Sequence, residues 1–64
     1  MAINMEVLKD EIKRTFRVLG ADKGIDQNAV DINNWRDEGY ITETEWRELR
    51  KYNRKVYSDL PLEF

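Results

Sequence analysis

Ile41-Thr42-Glu43-Thr44-Glu45-Trp46-Arg47-Glu48-Leu49 is the stretch that decides the fold. Thr42 precedes Glu45 by three residues, the spacing of a capping box. In that motif the threonine hydroxyl accepts from the glutamate amide, and the carboxylate accepts from the threonine amide. Ile41 and Trp46 flank the box at hydrophobic-staple positions. Behind it, Trp46, Leu49, Val56 and Leu60 recur at helical steps, with Tyr52 and Tyr57 beside them. Pro61 ends the pattern, because the residue before a proline is disfavoured in helical backbone. The spacing predicts a helix over about 43–59.

Upstream, Met5, Leu8, Ile12, Phe16 and Leu19 fall on one stripe, predicting a helix over about 5–19. Asn4 is placed to cap it, Ile3 and Leu8 to staple it, and Gly20 to stop it. Between these helices, Asp26 reads as an N-cap, with Ile25 and Val30 at staple spacing. Gly39 reads as the stop, with Trp35 and Tyr40 placed for the apolar contact of a Schellman ending. That predicts a second helix over about 27–38. Its apolar residues, Ala29, Val30, Ile32 and Trp35, spread around more than half the helical wheel. The helix is therefore expected either to be sandwiched or to present one side to a partner.

The sum is an all-α, compact three-helix domain spanning 1–64, with short turns at 20–26 and 39–41. The tail after Leu60 is expected to fold back over an apolar edge.

Composition narrows the function. The 64 residues include no Cys and no His, which removes thiolate and imidazole nucleophiles, thiolate or imidazole metal sites, and disulfides. Carboxylate pairs such as Asp10/Glu11 and Asp37/Glu38 are adjacent in sequence and so diverge on a helix. Nothing forms a nucleophile–base–orienter set, and the expectation is a non-enzyme without cofactor, metal or small-molecule substrate. Asp22, Gly24, Asp26, Asn28 and Asp31 invite a calcium-loop reading. Counted from Asp22, the loop would put Gly24 at position 3, Gln27 at 6 and Asn33 at 12, where an EF-hand needs an oxygen ligand, glycine and glutamate. Apolar runs of two or three residues hold neither a transmembrane helix nor a signal peptide, so no membrane partner and a cytoplasmic location are expected.

The charge is unevenly spread. Eleven Lys and Arg stand against 13 Asp and Glu overall. From Trp46 onward, however, five bases face only Glu48, Asp59 and Glu63. Arg47, Arg50, Lys51, Arg54 and Lys55 lie within about 140° of arc at 100° per residue, opposite Leu49 and Val56. The i,i+4 pairs among them repel by a few tenths of a kcal/mol each. A solvated face near a helix C-terminus explains the stripe in part; phosphates or an acidic partner would explain it by neutralising it.

Asn53 sits between Leu49 and Val56, where a buried asparagine can fix register or oligomeric state. It can equally lie at the stripe's margin, bonded to backbone or water.

Gly24-Ile25-Asp26-Gln27-Asn28-Ala29-Val30, followed by Trp35-Arg36-Asp37-Glu38-Gly39-Tyr40-Ile41, loosely resembles phage-repressor helix-turn-helix sequences. In those, a G-[IV]-x-Q-x-A-V stretch precedes a W-x-x-x-G-x-[IV] stretch. Here Val30 and Trp35 are separated by four residues, about two more than in that pattern. The resemblance implies DNA binding, with Gln27, Asn28, Asn33 and Asn34 reading base edges. Asp26, Asp31, Asp37 and Glu38 would repel phosphate in the same stretch. The Gly39-to-Glu45 run also resembles small prophage-encoded proteins.

The leading expectation is a non-enzymatic interaction module of bacterial or phage type, an accessory, inhibitor or adaptor that binds another protein. Its orienting face is Arg47, Arg50, Lys51, Arg54 and Lys55, and its apolar anchors are Val7, Val18, Trp35 or the terminal Leu62 and Phe64. The alternative is a small DNA-binding regulator using Gln27, Asn28, Asn33 and Asn34 or the third helix. A homodimer built on the Trp46–Leu60 stripe and Asn53 is the third reading.

Overall fold

The computed structural model describes residues 4–60. It contains three helices: α1 (Met5–Leu19), α2 (Ala21–Asp37) and α3 (Glu43–Ser58). The middle helix packs against both neighbours, while α1 and α3 touch each other less. The expected folded-back tail, the Ile3 staple and the Leu62 and Phe64 anchors fall outside the described residues.

The third helix begins as its sequence predicts. The Thr42 amide donates to Glu45 Oε1 at 2.8 Å, and the Glu45 amide donates to Thr42 Oγ1 at 3.2 Å. Ile41 is buried and Trp46 half-buried beside the box. The second helix ends in a Schellman motif around Gly39, whose φ of +80° only glycine adopts readily. There the Tyr40 amide donates to Trp35 O and the Gly39 amide to Arg36 O. The first helix is capped by Asn4, whose side chain accepts from the Glu6 amide at 2.9 Å.

The start of α2 differs from the expectation. The helix begins at Ala21, six residues before Gln27, and Asp26 lies inside it rather than capping it. A single residue, Gly20, connects α1 to α2 with φ +85°. Its amide closes α1 onto Phe16 O, and its carbonyl accepts from the Gly24 amide at 2.9 Å to open α2. The Ile25–Val30 staple does not form: Ile25 packs against the core, whereas Val30 is exposed.

Gly24 explains how so tight a corner packs. It is buried inside α2, against Phe16 of α1. A Cβ there would stand 2.8 Å from Phe16 Cδ1 and 3.1 Å from Phe16 Cα. Its role is close approach of two helices, which the missing side chain permits.

The core is Leu8, Ile12 and Phe16 from α1, Ile32 from α2, Ile41 from the turn, and Leu49 and Val56 from α3. At its centre lie two buried asparagines. Asn28 Nδ2 donates to Ile12 O and to Asn53 Oδ1, both at 3.1 Å. Asn53 Nδ2 donates to Ile25 O at 3.2 Å. The pair thus joins all three helices, and no buried side-chain nitrogen or oxygen among the described residues lacks a partner. An amide pair bonded to one another and to the backbone of two helices in this way favours one register of packing.

Two expectations change as a result. Leu49, Asn53 and Val56 are buried inside the chain, so of the stripe expected for a homodimer only Trp46, Tyr52, Tyr57 and Leu60 keep exposed surface, and Asn53 is not available to it. Asn53 specifies register, but within one chain. The helix-turn-helix alignment also fails, because Gly24–Val30 and Trp35–Asp37 belong to one unbroken helix. Asp31-Ile32-Asn33-Asn34 contains no glycine or proline to break it, and Ile32 is fully buried.

Candidate functional site

Because α3 buries Leu49, Asn53 and Val56, its helical repeat must turn Arg47, Arg50, Lys51, Arg54 and Lys55 outward, and all five are exposed. Arg47 meets Glu43 one turn earlier at 3.9 Å, a long and largely exposed pair of little energetic weight. Lys51, Arg54 and Lys55 make no ion pair with any described residue. Beyond Arg47 the stripe is therefore a row of like charges without ion-pair partners among the described residues.

Arg50, within the row, lies against a side chain that α2 positions. The Trp46 indole Nε1 donates to Asn33 Oδ1 of α2 at 2.8 Å. Over the same ring lie two guanidinium groups, Arg36 with Cζ 4.2 Å from the ring centroid and Arg50 with Cζ 4.9 Å away. Stacking of this kind contributes about 0.5–1 kcal/mol per cation at exposed sites. It also removes rotamer freedom from Arg50 before any ligand arrives.

Shallow concavities run along the stripe. One of about 210 Å³ is lined by Trp46, Arg47, Arg50, Lys51 and Arg54. A second continues toward α2, where Ile25, Asp26 and Ala29 face Arg50 and Arg54. A third lies on the other side, where Glu48 and Thr44 stand with Arg47 and Lys51. The cationic row is thus bordered by a carboxylate on each flank, Asp26 and Glu48. Glu48 is also 3.9 Å from Lys9 of α1, whose ammonium lies 5.4 Å from the Tyr52 ring centroid.

The proposed apolar anchors are placed elsewhere. Val18 is exposed and lines a separate groove with Glu11, Arg14, Thr15, Leu19 and Gln27. Val7 lies on the same outer side of α1, eleven residues away, with the Glu11–Arg14 ion pair between them. That interruption prevents a continuous apolar patch. Trp35 is half-buried and packs against the core.

The four candidate base-reading amides also do not converge. Asn28 is buried in the asparagine pair, and so cannot read base edges. Gln27 Nε2 donates to Asp31 Oδ1 at 3.0 Å, and Asn33 is engaged by Trp46. Asn34 is exposed about 100° around α2 from Asn33.

Sequence reasoning missed Arg36 and the positioning role of Trp46. The staple position put Trp46 at the α2–α3 corner, but nothing in the periodicity says which α2 residues meet it there. The calcium reading fails on geometry as well: Asp22, Asp26 and Asp31 stand on a helix rather than a loop. Among the described residues no three carboxylates gather where a metal ion could sit, and no helix is long and apolar enough to cross a membrane. Comparisons with models of protein families, with curated proteins and with solved structures give no match to this chain.

Proposed function

We propose that the protein is a non-enzymatic interaction module that binds another protein through the outer face of α3. The observation that carries this reading is the row Lys51, Arg54 and Lys55, without ion-pair partners among the described residues, beside an Arg50 already held on Trp46. A surface selected only for solubility gains by mixing signs; five like charges on one face gain from a partner that neutralises them.

A nucleic-acid partner draws on the same cations. The flanking carboxylates argue against it. Duplex DNA presents about one negative charge per 1.7 Å of axis and no positive ones, so Asp26 and Glu48, the latter in only a long contact with Lys9, would be set against phosphate. A protein can place a cation opposite each. The net charge of −2 points the same way.

The test compares the wild type with the charge-reversed double variant Arg50→Glu/Arg54→Glu, each used as immobilised bait and cross-linked in an extract of the source cell. A protein cross-linked to α3 in the wild type and lost from the reversed variant supports the reading. Retention that ignores the reversal overturns it. So do amide shifts at residues 47–55 that appear with duplex DNA and weaken as salt rises.

A further inference from the structure

The spacing of the cations, together with the fixed position of Arg50, narrows the partner's shape. Arg47, the Arg50–Lys51 pair and the Arg54–Lys55 pair follow one another by three to four residues. At 1.5 Å rise per residue these are steps of about 5 Å. A second helix carrying Asp or Glu at i, i+3 or i+4, and i+7 presents carboxylates at the same interval. A strand places same-side residues about 6.6 Å apart, and slips out of register over the length of the stripe.

We propose, resting on the protein-binding reading above, that α3 seats an acidic helix of the partner. In this arrangement Arg50 receives the central carboxylate. Its guanidinium is held on the Trp46 ring with Arg36 beside it, and no described residue forms an ion pair with it. A planar fork restrained in this way can take a carboxylate through two parallel N–H···O bonds with less rotamer entropy left to lose. Lys51, Arg54 and Lys55 supply unrestrained charge along the rest of the row. Asp26 on one flank and Glu48 on the other set the sign pattern at the edges, favouring a helix whose acidic stripe is narrow and bordered by lysine or arginine.

The experiment titrates the labelled full-length chain with two alanine-based helical peptides of identical composition, following the Trp46 indole signal and the amides of residues 47–55. One peptide carries four glutamates at i, i+4, i+7 and i+11; the other carries them dispersed around the helix. The aligned peptide is expected to shift Trp46 and Arg50, and to bind about fivefold more tightly than its isomer. Arg50→Lys keeps the charge but loses the planar fork, and should weaken the aligned peptide about threefold, whereas Lys51→Arg should change little. Equal binding of the two isomers, or an Arg50→Lys variant that binds like the wild type, overturns this inference and leaves the protein-binding reading standing. No shift with either peptide overturns it also. If duplex DNA then moves the same signals in a salt-sensitive way, the protein-binding reading falls with it.

Discussion

The two corners of this bundle are built by opposite strategies. The α2–α3 corner is assembled from neighbours in sequence: a Schellman turn at Gly39, a reciprocal box between Thr42 and Glu45, and Ile41 and Trp46 closing over it. The α1–α2 corner has no side-chain cap. It rests on one left-handed glycine and on contacts that span the chain. Gly24 lies on Phe16, Asn28 reaches Ile12 and Asn53, and the Tyr57 hydroxyl donates to Asp22 across 35 positions of sequence. The second corner rests on contacts close in sequence, whereas the first draws part of its support from Asn53 and Tyr57 of α3. The difference teaches that a tight connection is not the same as an autonomous one.

If that contrast is right, substitutions in the first corner's remote contacts should cost more than loss of a cap in the second. Asn28→Ala should have the largest effect. It leaves the buried Asn53 Oδ1 without its donor and opens a small cavity, a loss of about 2–3 kcal/mol. A chain this short rarely commands more than about 3–5 kcal/mol in all, so the variant should be partly unfolded at room temperature. Urea denaturation followed by circular dichroism checks this. An Asn28→Leu/Asn53→Leu double variant should lose less than the sum of its two single changes, since no polar group is then stranded.

Gly24→Ala comes next. At an exposed helix site the change would stabilise by about 1 kcal/mol through propensity. Here the new methyl meets the Phe16 backbone and ring at 3.1 and 2.8 Å, so the sign should invert to a net loss of about 1–2 kcal/mol. Unchanged or raised stability would mean that α1 and α2 do not approach so closely, and the first corner would lose its distinctive feature.

These corners also show which parts of the structure were legible beforehand. The second corner's residues fit a local motif, so Thr42, Glu45, Gly39 and the Trp35–Tyr40 pair could be read without knowing what they pack on. At the first corner Gly20 and Gly24 look alike on paper. Both fall within the turn expected over 20–26, with Asp26 as the cap that follows. What separates them is Phe16, which meets Gly24 only after the chain has turned. The candidate site divides the same way. Its cationic row follows from helical repeat alone and lies where expected. Its Trp46–Arg36 clamp and its bordering Asp26 depend on which face of α2 meets α3. The exposure of Val7 and Val18 was foreseeable on α1 and is found there, while their distance from the cationic row on α3 was not.

The local corner should respond modestly. Thr42→Ala removes one half of the capping box and should cost about 1 kcal/mol. Because the site is remote from the asparagine pair, its effect should add to that of Asn28→Ala within about 0.5 kcal/mol. A clearly non-additive result would show that the α2–α3 corner is coupled to the interior after all, and the distinction between the corners would collapse.

The smallest effect expected is one of pH, and it belongs to the remote corner. Tyr57 donates to Asp22 Oδ1 at 3.2 Å, and its ring lies 6.4 Å from that of Phe16. The hydrogen bond to Asp22, its negative charge, partial desolvation and the charge of Asp26 together raise the phenol above its ordinary value of 10.0. Ionisation is therefore harder in the folded chain than in the unfolded one. The contribution is present in full below the unfolded pKa, and is lost as pH rises through the higher folded one. The measurement is the difference in stability between wild type and Tyr57→Phe across that pH range, which cancels the groups the two chains share. That difference should be flat from neutral pH to about 9 and shrink above about 10. A difference that does not change with pH would remove the hydroxyl from the corner and leave Phe16 stacking as the only tie between Tyr57 and the α1–α2 turn.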